Sequence, residues 1–386
     1  MCVVNAVAII GCGNLSFPAI HCLFRLGIKK VYLYDVNISA VLDLQDKIVS
    51  AGLKIKSEVI DFKVSAVNVV AVILLLSGPQ SKDFIKKYAD RFNFKQEKTF
   101  ISVGRPAYHN IKSEQVFHRF LIKKKIRLLL GFGFEPGLAE ALMAHVLTKD
   151  RPASKEMIAI CSGLPIKPKP PLNYDLLFGD YLPTDKRIAI AKIEGEIKTL
   201  FRFDTIEQTF IPTIGHVEIY DDGLSPYLLD DRRFTRVKNI RQCTARWKGY
   251  CNTIQILSTL GFLKDDYDPK FKMSYKAVTN RILQNSGAVR RNSPDVCFIY
   301  IKNKSINEKT HSYLLTSAFD SKNKLTAMGL LTILLPCYLI KKQIQNKSDM
   351  SYGITYSHQI FEGEKFEKFM MFGVKNNYFK YEVIDG

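Results

Sequence analysis

The stretch Val4-Asn5-Ala6-Val7-Ala8-Ile9-Ile10-Gly11-Cys12-Gly13-Asn14-Leu15-Ser16 decides how this chain is read. Val4 to Ile10 is an apolar run of buried-strand type, and it ends in a Gly-x-Gly turn. Gly11 allows a sharp turn from strand to helix. Gly13 has no side chain, so a pyrophosphate can approach the backbone N–H groups at the helix N-terminus. Ser16 stands where a third glycine would let helix and strand pack closely. A second strand, Val31 to Tyr34, leads to Asp35. A carboxylate there accepts hydrogen bonds from ribose hydroxyls and repels a 2′-phosphate. A lone Gly-x-Gly is a weak signal, but here it follows a strand, opens a helix and leads to an acid. The stretch predicts a dinucleotide-binding Rossmann domain that favours NAD, with NADP as the alternative. Gly11, Gly13, Asn14, Leu15 and Asp35 are its cofactor contacts.

Working outward, residues 1–148 alternate apolar runs with amphipathic stretches. Phe17–Leu26 and Ser39–Ala51 have helical spacing. Val69–Leu76, Thr99–Val103 and Arg127–Leu130 read as further buried strands. Continuous apolar strands alternating with helices imply a parallel sheet covered on both faces. Ligands collect beyond the carboxyl ends of such strands, so Ser77 and Gly78 are further candidate cofactor contacts and Ser102 a candidate donor. Beyond residue 149 the pattern changes. Met157–Ser162 reads as a strand, and the four prolines between Gly163 and Leu172 predict irregular chain there. Ala189–Phe203 and Phe210–Tyr220 alternate like antiparallel strands. Gly249–Gly261 has the character of a helix. Val296–Lys302 and Ser312–Phe319 read as paired strands around the turn Asn303–Lys309. Lys324–Gln343 is a long apolar helix.

Length and composition set bounds. A chain of 386 residues suggests two or three domains. No apolar stretch reaches the roughly 20 residues that span a bilayer, and Leu330–Ile340 contains Pro336, so a buried helix is expected and no membrane partner. The N-terminus lacks the basic region of a signal peptide. The eight cysteines form no CxxC pair and none lies near a histidine at ligand spacing. Reduced thiols, a cytoplasmic setting and no metal follow. The net charge of +19 is spread over short runs that border apolar segments. Solvated faces explain it better than nucleic acid, which would call for a basic stripe or a recognition helix.

From Gly131-Phe132-Gly133-Phe134-Glu135-Pro136-Gly137-Leu138 onward the sequence resembles the saccharopine dehydrogenase family, in its two-domain reductase branch. Gly163-Leu164-Pro165, with Pro171-Leu172-Asn173-Tyr174 after it, is similar to the family's G-L-P and N-P-L-x-Y. Thr244 to Cys251 is similar to its L-R-Y-x-G segment, which opens a helix ending at Leu260-Gly261-Phe262-Leu263. Thr326-Ala327-Met328 opens an apolar helix, as in the family. These segments come in family order over most of the chain. The resemblance implies an α/β fold: an N-terminal Rossmann doubly wound parallel sheet (1–148) and a second α/β substrate domain with a mixed sheet (149–352), the active site lying between them. It also implies that a C-terminal segment (353–386) returns to the first domain. Family members make or break a secondary amine that joins two amino-acid-like halves. Three departures point to a different substrate. Glu135 replaces the usual Asp, Ser102-Val103 replaces Ser-Tyr, and Tyr220-Asp221-Asp222-Gly223 lacks the arginine of an Asn-Arg-Asp-Ser-type stretch.

Imine reduction needs cations for substrate carboxylates, best supplied by a bidentate arginine, and a proton source for nitrogen. Arg246 is the best carboxylate binder, with Lys248 as a neighbouring cation. Glu135 either positions the substrate amine or caps the helix behind it. Tyr174 and Ser102 are candidate donors. His216, Tyr220 and His145 read as structural. The expected function is an NAD(P)-dependent oxidoreductase acting on CH–NH groups of an amino-acid-like small molecule, with homodimer formation allowed. The alternatives are an inactive dinucleotide-binding sensor or scaffold, and a lysine dehydrogenase- or polyamine synthase-like enzyme.

Overall fold

The computed structural model describes residues 5–62, 66–106, 111–149, 153–175, 184, 186–290, 293–345 and 351–385. In chain order its elements begin β1 (Ala6–Ile10), α1 (Ser16–Arg25), β2 (Lys30–Tyr34), α2 (Ile38–Ser50), β3 (Lys56–Val59), β4 (Val67–Val69), β5 (Ala71–Leu74), α3 (Gly78–Tyr88), β6 (Phe92–Phe94), β7 (Lys98–Ser102), α4 (Ile111–Lys123), β8 (Ile126–Leu130) and α5 (Leu138–Lys149). There follow β9 (Ser154–Pro165), β10 (Ile188–Ile193), β11 (Glu196–Phe201), β12 (Ile206–Ile211), β13 (Gly215–Asp221), α6 (Arg232–Thr235), β14 (Asn239–Arg246), α7 (Tyr250–Thr259), β15 (Tyr267–Asp268), β16 (Met273–Ser274) and α8 (Tyr275–Asn285). The chain ends with β17 (Asp295–Ser305), β18 (Thr310–Ala318), α9 (Ala327–Gln345), β19 (Gly353–Thr355), α10 (Ser357–Ile360), α11 (Glu364–Lys375) and β20 (Lys380–Asp385). Two compact units result: Met1–His145 with Gly329–Phe372, and Val146–Met328 with Gly373–Gly386.

The first unit is built on a seven-stranded sheet in the order β19-β8-β7-β5-β1-β2-β3, with every pair parallel. It is a Rossmann-type doubly wound sheet. All five residues of β1 are buried, which is why that strand reads as an unbroken apolar run. Strand order reverses at β1, so the crevice for a ligand lies at the carboxyl ends of β1 and β5. Ala8, Ile10, Val72, Leu74, Phe100 and Leu128 pack with Phe84 of α3 and Phe117 of α4. The expected strand Val69–Leu76 is two pieces. The Val70 N–H reaches the Ala6 carbonyl, the Val69 carbonyl takes the Lys95 N–H, and β4 leaves the main sheet to pair with β6. Within α9, Ala327–Ile344 is long and apolar enough to cross a bilayer, yet 78% of that window is buried inside the protein.

The second unit carries a nine-stranded mixed sheet in the order β11-β10-β14-β9-β17-β18-β20, with β13 joined to β14 and to β12. Among these strands β14 runs parallel to β9 and the other pairs are antiparallel. The proline-rich stretch does not end β9 where expected. The strand continues through Gly163 to Pro165, which pairs with Asp295 at the end of the ladder. A proline at a strand's last position gives up an N–H that the ladder does not use. Ile160, Leu164, Val217, Ile219, Phe298 and Leu314 form the core on this sheet. Beyond Tyr352 the tail serves both sheets: β19 pairs with β8, and β20 pairs with β18.

Candidate functional site

In the first unit the glycine turn has two glycines with different reasons to be there. Gly11 has φ +96°, and a Cβ on it would stand 2.7 Å from the Leu75 carbonyl oxygen, so the fold itself requires glycine. Gly13 is exposed, and a Cβ on it would meet nothing within 4 Å. Packing gives no reason for that glycine; room for a ligand does. The N–H groups of Gly13, Asn14 and Leu15 find no acceptor among the described residues, and no side chain caps α1. Three consecutive open donors at a helix N-terminus suit an anion. Ser16, in the third-glycine position, is buried, and its hydroxyl donates to the Gly13 carbonyl at 2.6 Å. Its one polar group is thereby satisfied inside the turn, which is how serine fits there.

Asp35 locks the turn to the end of β2. Its Oδ2 accepts the Cys12 N–H at 2.8 Å and its Oδ1 accepts the Asn37 N–H at 2.9 Å. The carboxylate is half-buried and lies at the turn, where a ribose bound beside the pyrophosphate would meet it. Burial, helped by Asp35, pushes the Cys12 thiol up to about 12, so that sulfur stays neutral.

The other crevice candidates are engaged in holding loops. Ser77 caps α3 through a reciprocal box with Gln80. A Cβ on Gly78 would stand 2.0 Å from the Arg105 carbonyl, so a neighbouring loop demands that glycine. Ser102 is fully buried, and its hydroxyl meets Ser81 at 2.8 Å and the Gly104 N–H at 3.1 Å. Glu135 faces Arg105 at 3.5 Å. The helix behind it is capped by Glu140, whose carboxylate accepts the Gly137 N–H at 2.5 Å. The spacing of Glu140, three residues after Gly137, resembles a capping box and would have identified it from the sequence. His145 lies tilted against Phe366 with ring centres 4.8 Å apart.

In the second unit, Arg246 ends β14 and is 6% exposed. One terminal nitrogen, Nη1, donates to Ser162 Oγ at 3.0 Å and to the Ala245 carbonyl at 2.7 Å. Its guanidinium carbon lies 4.6 Å from the ring centre of Tyr174, 5.4 Å from Tyr250 and 5.9 Å from Tyr220. Burial opposes the charge, but the tyrosines and Asp222 outweigh it and hold Arg246 above the ordinary arginine value. Burial raises Tyr174 against the pull of Arg246.

The acids nearby are committed elsewhere. Glu218, directly across from Arg246 in the β13–β14 ladder, accepts the Gly249 and Cys251 N–H groups at 3.2 and 2.6 Å and so caps α7. Gly249 has φ +100°, which explains the glycine of this segment. Asp222 takes Arg187 at 2.7 Å, Arg202 and the Thr244 hydroxyl. Lys248 is exposed, and its carbonyl takes the Asn173 amide.

Tyr174 and Arg246, both named from the sequence, thus lie together. Tyr220, Tyr250 and Ser162 join them, and the sequence offered no spacing that would have collected them. His216 lies on β13 beside Phe210. Among the described residues no group of three or more His, Cys, Asp or Glu is placed to hold a metal ion.

No protein-family model matches this chain, and no curated protein matches it in sequence. Solved structures do match. Apo saccharopine dehydrogenase (L-Glu forming) from Saccharomyces cerevisiae superposes with a TM-score of 0.72 at 15% identity, over 98% of this chain and 100% of that one. Homospermidine synthase from Legionella pneumophila, in complex with NAD, gives a TM-score of 0.58 at 10% identity, over 99% of this chain and 91% of that one. The chain has, along essentially its whole length, the fold of saccharopine dehydrogenase.

Proposed function

We propose that the protein is an NAD(P)-dependent oxidoreductase acting on a CH–NH bond of an amino-acid-derived substrate, with NAD preferred. The observation that carries this reading is the open N-terminus of α1: three N–H groups with no acceptor among the described residues, beneath an open space at Gly13, with Asp35 alongside. The NAD in the homospermidine synthase complex lends support. Gly11, Gly13, Asn14, Leu15 and Asp35 would hold the nucleotide, and the nicotinamide would supply or accept hydride. Arg246 takes a substrate carboxylate through the edge formed by Nε and Nη2, since neither atom makes a hydrogen bond among the described residues. Tyr174 covers one face of that guanidinium. Glu135, beside Arg105, is the acid best suited to a substrate amine. The seven described cysteines are buried and none is in a disulfide, in keeping with a reducing cytoplasm.

The test is NADH oxidation in the presence of L-glutamate and an amino-acid semialdehyde, whose condensation gives an imine. Turnover that requires both partners and disappears in Arg246→Met is the expected result. Saturable NADH binding without turnover by any amine–carbonyl pair would favour a sensor instead.

A further inference from the structure

Tyr220 is fully buried, and its hydroxyl has no hydrogen-bond partner among the described residues. So is the Nε of Arg246. A buried polar atom left without a partner costs stability, so two in one cluster need an explanation. Register supplies part of it. Tyr220 pairs with Thr244 and Glu218 with Arg246, so all four side chains emerge on one face of the β13–β14 ladder. Both acids on or beside that face are turned to other tasks: Glu218 to α7, Asp222 to two arginines and Thr244. Tyr220 lies against Phe203 at 4.4 Å, with the Arg202 guanidinium 5.7 Å and that of Arg246 5.9 Å from its ring centre. The cluster therefore offers a side-on guanidinium edge and a phenolic O–H, with no protein oxygen assigned to either.

We infer that Tyr220 is a specificity residue of this anion site, donating its hydroxyl to the carboxylate that Arg246 holds. This rests on the reading of Arg246 given above. The ligand group is a planar carboxylate: two oxygens for Nε and Nη2, and a remaining lone pair for the tyrosine. The rings of Tyr174, Tyr220 and Tyr250 surround the guanidinium. Burial pushes Tyr220 up to about 12, so it remains a donor throughout the neutral range.

Glutarate, a simple dicarboxylate, is the probe. Its affinity for the wild-type chain, Tyr220→Phe and Arg246→Met is measured calorimetrically, alongside thermal unfolding without ligand. Tyr220→Phe is expected to keep or raise Tm, because an unpartnered hydroxyl is removed, and to weaken glutarate about tenfold, equally at pH 6.5 and 8.5. Arg246→Met is expected to abolish binding. Unchanged glutarate affinity in Tyr220→Phe overturns the inference, and so does a wild-type chain that takes up no glutarate. If Arg246→Met loses glutarate while Tyr220→Phe keeps it, the role of Arg246 stands and that of Tyr220 falls. NADH titration, which depends on the first unit's residues, reports separately on the oxidoreductase reading.

Discussion

At the start of α9, Asp295 of β17 places one carboxylate oxygen 2.7 Å from the Ala327 N–H and the other 2.9 Å from the Met328 N–H. At the start of α1, the corresponding donors of Gly13, Asn14 and Leu15 meet no acceptor among the described residues. The helix termini of α5 and α7 follow α9, with Glu140 and Glu218 as their internal anions. Every helix begins with open N–H groups and a partial positive charge. A terminus that must be buried is closed by the protein's own carboxylate. A terminus left open, with glycine above it and no packing reason for that glycine, is kept for an anion from outside. The difference separates structural anion sites from the functional one without reference to any relative.

Substitutions on each side can break this comparison. The largest effect is expected from Gly11→Ala. Its positive φ and the contact with the Leu75 carbonyl together cost on the order of 3 kcal/mol. Urea unfolding measures it, and NADH binding would fall with the fold. Asp295→Ala comes next, at about 2 kcal/mol, because two buried N–H groups lose their acceptor.

The same site carries a pH signature. Burial outweighs the backbone N–H groups of Met328, Ala327 and Asp295 itself and raises Asp295 to about 6. The protonated form is therefore favoured by folding, so its contribution is complete below pH 4 and is lost as pH rises through 6. Relative to Asp295→Asn, which cannot ionise, the wild-type chain should lose about 2 kcal/mol of stability between pH 4 and pH 7. A pH-independent difference would contradict the assignment.

Gly13→Ala sharpens the comparison most. The added methyl meets no protein atom, so stability should change by less than about 0.5 kcal/mol, while NADH affinity falls at least roughly tenfold, or about 1.4 kcal/mol. Loss of stability without loss of NADH affinity would reverse the roles assigned to the two glycines. The smallest effect is expected from Asp35→Asn, a several-fold drop in the preference for NADH over NADPH, read by competition.

The open terminus was legible because its signal is local: strand, two glycines, helix and acid follow one another in sequence. The termini of α7 and α9 were not, whereas the Glu140 cap of α5 is local. Glu218 and Asp295 act on N–H groups more than thirty residues away in sequence, and nothing in a lone acid announces which helix it will serve. For the same reason the sequence reads Ser77 and Gly78 as candidate cofactor contacts and Ser102 as a candidate donor. Ser and Gly after a strand suit a ligand loop and a cap equally well, and only the approach of the Arg105 loop explains Gly78. In the second unit Arg246 and Tyr174 stood out by motif. Tyr220 read as a core position on an alternating strand, and its ring is indeed packed there. The unpartnered hydroxyl at the end of that ring belongs to three-dimensional structure alone.

The open N-terminus of α1 is reserved for a dinucleotide. Calorimetric titration of the wild-type chain with NADH tests it most directly. One saturable site, bound more tightly by NADH than by NADPH, is the expected result, and no saturable binding of either nucleotide would contradict it.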